Sequence, residues 1–180
     1  MVSLNALFWL FVILFAIIGT MRGWAKELLV TFSAILAFFI VTVLETYVPF
    51  VKDTLRNNPD TLFWLRIIVL ILAVFFGYQS PNIQKFAAGG RFAREKLQDY
   101  LLGFLLGAIN AYLFVGTIWW YMDQAGYKPL LPYITAPDPN TEVGRAALDL
   151  LEQMPPVWLK PPGLFFAVAL AFAFVLIVFL

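Results

Sequence analysis

The side chains best suited to acid–base and metal chemistry are missing: the chain has no His and no Cys. Without imidazole it lacks the usual proton carrier near neutral pH, the commonest metal ligand and a frequent haem ligand. Without thiols it has no disulfides and no thiolate metal sites. Carboxylates such as Asp123 and Asp149 remain, but no two stand in the paired arrangement that general acid–base catalysis needs. The expectation is a protein that is not an enzyme, with no cofactor and no metal. The other polar groups of note are Asn110, Arg66 and Glu45, which lie in or beside apolar stretches. A solute path would need polar groups of this kind, and these are thin material for one.

Those apolar stretches define the elements. Hydrophobic residues make up 62% of the 180 and charged residues 13%. A water-soluble globule of this size has too little interior to hide so much apolar surface. Lipid as the outer solvent removes the difficulty. Residues 2–21, 28–44, 67–84, 100–122 and 161–180 carry no charge. Helices are expected over 4–20, 25–44, 62–78, 101–122 and 163–180. The fold class is therefore all-α: a polytopic membrane helical bundle of about five transmembrane helices, with one or two short amphipathic interfacial helices. It divides into a four-helix membrane region (1–122), a polar, Pro-rich extracytoplasmic segment (123–162) and a C-terminal transmembrane helix (163–180). The first span has no basic leader and the length of a true span, so it reads as a retained helix and not a signal peptide. The net charge of +1 gives no case for nucleic acid.

Aromatic residues near the span ends suit the headgroup zone: Trp9, Trp24, Tyr47, Trp64, Tyr78, Tyr100, Trp119, Trp120 and Tyr121. Ordinary packing aromatics are the alternative. Basic residues are densest in the turn holding Arg22 and Lys26 and in the loop holding Lys85, Arg91, Arg94 and Lys96. The positive-inside rule then puts the N-terminus outside and the C-terminus inside. Residues 80–99 read as an interfacial helix, broken or weakened at Gly89-Gly90, whose basic face would meet anionic lipid. A plain polar elbow fits the same residues. Residues 141–154 read as a short amphipathic helix capped by Asn140 or Thr141, with Val143, Ala146, Ala147, Leu150, Leu151 and Met154 on its apolar face. It would either dock on lipid or a partner, through Leu150 and Leu151, or cap the protein's own bundle.

Within the fourth span, Gly103, Gly107 and Ala111 recur at four-residue steps. Small residues so spaced let two helix backbones come close. Asn110 sits beside that face, where its amide should point into the bundle and bond another helix; lining a solute path is its other possible role. No span shows a clear acid–base pair at mid-depth, which counts against an ion-coupled carrier.

The turn between the first two spans reads Gly19-Thr20-Met21-Arg22-Gly23-Trp24-Ala25-Lys26-Glu27. Gly19 and Gly23 allow a tight reversal, Arg22 and Lys26 hold it on the basic side, and Glu27 suits the first turn of the next helix. This motif resembles the colicin V production protein (CvpA-like) family, in which a helix ends in Gly-x-x-Arg/Lys-Gly-aromatic-x-x-Glu. The run from Asp99 through Gly103 to Gly107 is similar to the opening of that family's fourth helix. The resemblance spans roughly residues 1–122. Members often carry Asp near the start of helix one, where this chain has Asn5, so any role of that acid is in doubt here. The resemblance implies a multi-pass protein of the bacterial inner membrane, linked to export of a peptide toxin and to envelope maintenance.

The reading of function that follows is an accessory or structural subunit of a larger membrane assembly, such as an export or energy-transducing complex. Its partners would be the bilayer and other membrane subunits, met through helix packing. A small transporter or channel is the alternative.

Overall fold

The computed structural model describes residues 3–79 and 93–179, the side chains of residues 56, 93–95, 178 and 179 excepted. Among them are seven α-helices and no strand: α1 (Leu4–Arg22), α2 (Trp24–Tyr47), α3 (Pro59–Tyr78), α4 (Ala93–Gln124), α5 (Glu142–Leu151), α6 (Pro155–Trp158) and α7 (Gly163–Phe179). The chain is thus an all-α polytopic helical bundle.

Local chemistry sets the helix ends. The Ser3 hydroxyl caps α1 by accepting from the Ala6 N–H. Gly23 ends α1 and begins α2 in one residue. Its N–H donates to the Gly19 carbonyl, and its φ of 84° with ψ of 156° is a backbone state that only glycine adopts readily. After α2 a π-helical turn (Phe50–Thr54) and a short 3-10 turn (Leu55–Asn57) carry the chain to α3. Pro59 opens α3, where its missing N–H costs nothing.

Helices α1 to α4 are long and apolar enough to cross a membrane. The last helix, α7, lies where the sequence places it; its 17 described residues reach about 25 Å, beside a hydrocarbon core of about 30 Å. Among the described residues, four long apolar helices and one shorter one thus make up the bundle. A difference from expectation lies at α4. Residues 80–92, with Lys85 and Arg91, fall outside the described residues, but 93–99 are not a separate interfacial helix. They are the first turns of α4, which runs unbroken from Ala93. The stretch contains no Gly or Pro and is rich in helix-forming Arg, Glu, Lys, Leu and Gln, so charge does not stop the helix there.

Helix α1 packs antiparallel on α4, and α2 packs antiparallel on α3 while sharing its other side with α4. Helix α7 lies antiparallel on α2, with Phe32 against Phe174 and Phe39 against Phe165. The bundle has a turn end, marked by Gly23, and a cap end, over which residues 125–159 fold. The cap is held by a cluster that joins Phe8, Trp119 and Met122 to Ala147, Leu151 and Met154. Thr141 is the residue that caps α5, accepting from the Gly144 N–H.

The buried face of α5 is Gly144, Ala147 and Leu151, followed by Met154, while Val143 and Ala146 are exposed. The apolar stripe is therefore rotated from the expected one. Gly144 explains the rotation: a Cβ there would stand 1.8 Å from the Asp138 carbonyl oxygen, so only glycine lets the chain fold this close. Leu151, expected as a lipid or partner contact, is 5% exposed and belongs to the protein's own core. Leu150 is half-buried against the same cluster. The helix caps the bundle that carries it. Trp119 and Tyr121 also lie in this core and not in a membrane-surface belt. Trp9, Trp24, Tyr47, Trp64 and Tyr100 stay exposed.

Candidate functional site

Among the described residues two ion pairs lie within the bundle, one toward each end. At the turn end, the end of α1 meets the first turns of α2. Glu27 is fully buried. Its Oε1 accepts from Arg22 Nη1 at 2.5 Å, and its Oε2 accepts from Asn110 Nδ2 at 2.7 Å. The same amide donates to the Glu27 carbonyl at 2.9 Å. The Thr31 hydroxyl completes the set, 2.7 Å from Asn110 Oδ1 and 3.1 Å from the Glu27 carbonyl. Arg22 reaches α3 as well. Its Nη2 donates to the Tyr78 carbonyl, and its guanidinium stands 4.1 Å from the Tyr78 ring centre. One carboxylate thus joins α1, α2 and α4, with a donor on each oxygen as a buried charge requires, and Arg22 extends the network to α3.

The backbones come close enough for this because of glycine. A Cβ on Gly19 would lie 2.2 Å from the Gly103 carbonyl oxygen, and one on Gly107 would lie 2.3 Å from the Phe15 carbonyl oxygen. Gly103 and Gly107 face α1, while Asn110, beside them, turns to α2. Ala111 is fully buried. Asp99, in the first turns of α4, accepts from the Trp24 N–H at 3.1 Å. It therefore caps α2 from another helix, where negative charge also suits the helix dipole. Lys26 is half-buried and takes no part in the network, and Lys96 is exposed on α4. The Arg94 side chain lies outside the described residues.

At the cap end, Arg66 of α3 grips Glu45 of α2 with two bonds: Nε to Oε1 at 2.6 Å and Nη2 to Oε2 at 2.9 Å. Tyr121 of α4 lies under the guanidinium, its ring centre 4.9 Å away. A cavity of about 440 Å³ opens beside this pair, lined by Glu45, Thr46, Lys52, Arg66 and Gln124. Nearby, Trp119 Nε1 donates to the Tyr127 hydroxyl at 3.1 Å. Burial pushes the Tyr127 phenol well above its usual range, and the Trp119 bond only partly offsets this. The phenol therefore stays neutral and holds the start of the cap.

The pairs are far apart. Eighteen residues along α2, from Glu27 to Glu45, correspond to about 27 Å. Between them lies a buried apolar layer that includes Ala34, Ala37, Leu70 and Leu113.

The sequence reading placed Glu27 by its local helix dipole and missed its burial, since the Arg22 and Asn110 contacts come from other helices. For Tyr78 the structure favours the packing role over the headgroup one, since its ring and carbonyl meet Arg22. The five-residue step from Arg22 to Glu27 across a glycine turn was the available signal for the ion pair.

The family model of the colicin V production protein matches residues 4–130. This chain belongs to that family. The match takes in the glycine turn, both ion pairs and all four long helices. For a member of the colicin V production family, the motif from Gly19 to Glu27 is thus a three-dimensional joint: Gly19 admits α4, Gly23 makes the turn, Arg22 and Glu27 pair, and Asp99 caps the next helix. No curated protein and no solved structure matches the chain.

Proposed function

We propose that this colicin V production family member is a non-enzymatic accessory subunit of a larger assembly in the bacterial inner membrane, of the export or energy-transducing kind. What supports this reading is the fate of its polar groups at membrane depth. Glu27, Arg22, Asn110 and Thr31 bond one another, Glu45 is paired with Arg66 through both carboxylate oxygens, and the layer around Leu70 and Leu113 separates the two sets. Packed groups of this kind hold helices in register. The bundle meets its surroundings through apolar helix faces such as Phe166, Leu170 and Ile177 of α7. Copurification in mild detergent tests the proposal. Stable association with other membrane subunits is expected, and a single monomeric species recovered alone would overturn it. Flux through liposomes bearing the wild type, abolished by Asn110→Leu, would favour a small transporter instead.

The denser basic charge on the turn end supports an orientation with that end, and the C-terminus, in the cytoplasm and the N-terminus outside. The chain's lack of Cys allows a direct test. In Tyr133→Cys the thiol should react with an impermeant maleimide added outside intact cells, because Tyr133 is 90% exposed. In Lys96→Cys it should react only after the membrane is opened. The reverse pattern would invert the orientation.

A further inference from the structure

We infer that the cavity beside Glu45 and Arg66 is a binding site for a phosphate group, the chemistry shared by a phospholipid headgroup and free phosphate. A guanidinium has five N–H groups. Arg66 uses Nε and one N–H of Nη2 on Glu45. Among the described residues Nη1 has no hydrogen-bond partner. Its N–H groups are thus available to a ligand, and Arg66 lines the cavity. The edge between Nη1 and Nη2 presents a fork of the geometry that oxyanions accept in pairs.

That fork is held in place. The Glu45 carboxylate grips one side of the guanidinium and the Tyr121 ring lies beneath it. Little rotamer freedom remains to be lost on binding, which favours affinity. Lys52 stands in the same wall, exposed and without an ion pair among the described residues. Lys52, Arg66 and Glu45 leave the lining with one net positive charge, so an anion is the ligand that completes it. The Thr46 hydroxyl and the Gln124 amide supply further donors. At about 440 Å³ the space is larger than a phosphate alone and takes a headgroup. Around the same end, Tyr47, Phe50 and Trp64 are exposed, and aromatic residues of this kind settle at headgroup depth.

The test uses the full chain purified in mild detergent and native mass spectrometry of bound lipid. The probes are phosphatidylglycerol, a galactosyl diacylglycerol that has no phosphate, and inorganic phosphate as competitor. Binding of phosphatidylglycerol over the glycolipid is expected. Loss of that binding on adding inorganic phosphate would identify a site open to water-borne phosphate, and persistence would identify a headgroup site. Either result supports the inference. Lys52→Gln should weaken phosphatidylglycerol binding about tenfold through loss of one charge-assisted bond. Arg66→Lys should weaken it by a similar factor, since it keeps the charge opposite Glu45 and loses the fork. If Arg66→Lys does not fold, Lys52→Gln decides alone, because Lys52 is exposed and unpaired. Equal binding of both lipids, no binding of either phosphate source, or phosphatidylglycerol binding unaltered in Lys52→Gln would overturn the inference.

Discussion

Glu27 concentrates the stability of the turn end in one side chain. Its carboxylate is out of contact with water, and its two oxygens depend on different helices for their donors. Arg22→Gln would leave the charge buried with one partner removed. Breaking a buried pair in this way costs about 3–5 kcal/mol. Replacing both residues, as Arg22→Met with Glu27→Met, should recover much of that loss, because no charge is left unpaired. Thermal unfolding in detergent would read the difference. If the single and double variants melt together, the pair is not coupled. Asn110→Leu should be milder, about 1–2 kcal/mol, the range of an interhelical hydrogen bond in membrane proteins. Little of this was legible in the sequence. Glu27 and Asn110 stand 83 positions apart, and a carboxylate in a first helical turn is equally at home on a surface. Asn110 could be assigned to the bundle interior, because an amide at that depth needs a partner. Which partner it takes depends on how α2 and α4 cross.

The helices themselves were far more legible, for a physical reason. Lipid leaves the backbone no hydrogen-bond partner but itself, so a long uncharged stretch has few conformations open to it. Charged positions carry no such constraint, which is why the start of α4 at Ala93 was not legible, while the face of α5 turned on the close approach at Gly144. Arg, Glu and Lys extend a helix as readily as Leu does. Close packing of α1 on α4 adds a prediction of its own. Gly19→Ala would drive a methyl into the Gly103 carbonyl and the Gly107 backbone, which have no side-chain freedom to yield. Overpacking of this kind costs about 1–3 kcal/mol. Gly163→Ala, with open space around it, should be neutral in the same melt. Equal melting of the two variants would mean that α1 and α4 do not touch at Gly19.

Across the whole molecule, the cap and the bundle meet at a notch. Gly116 of α4 leaves room for Met154, and a Cβ there would lie 2.5 Å from the Met154 sulfur. Met154 is itself fully buried, in the same cluster as Phe8. Gly116→Ala should therefore push the cap outward and raise protease sensitivity between residues 128 and 160. Met154→Ala removes the obstacle, so the two changes together should cost less than their sum. The shortfall should be about 1 kcal/mol, as for residues in direct contact. Strict additivity would show that the cap does not seat in the notch. No sequence pattern marked this fit, since Gly116 stands outside the four-residue run and Met154 lies beyond the bundle's spans.

Because Asp99 caps α2 from α4, the glycine turn is completed late in synthesis. A growing chain leaves the ribosome from its N-terminal end, so the α1–α2 hairpin is synthesised long before Asp99 and Asn110. Until α4 arrives, the Trp24 amide and one oxygen of Glu27 lack their final partners. The hairpin must enter the bilayer unfinished and be locked only once the fourth helix is translated. Chains that stop after α3 should accordingly be recognised by quality-control proteases and cleared, although every residue of the glycine turn is present in them.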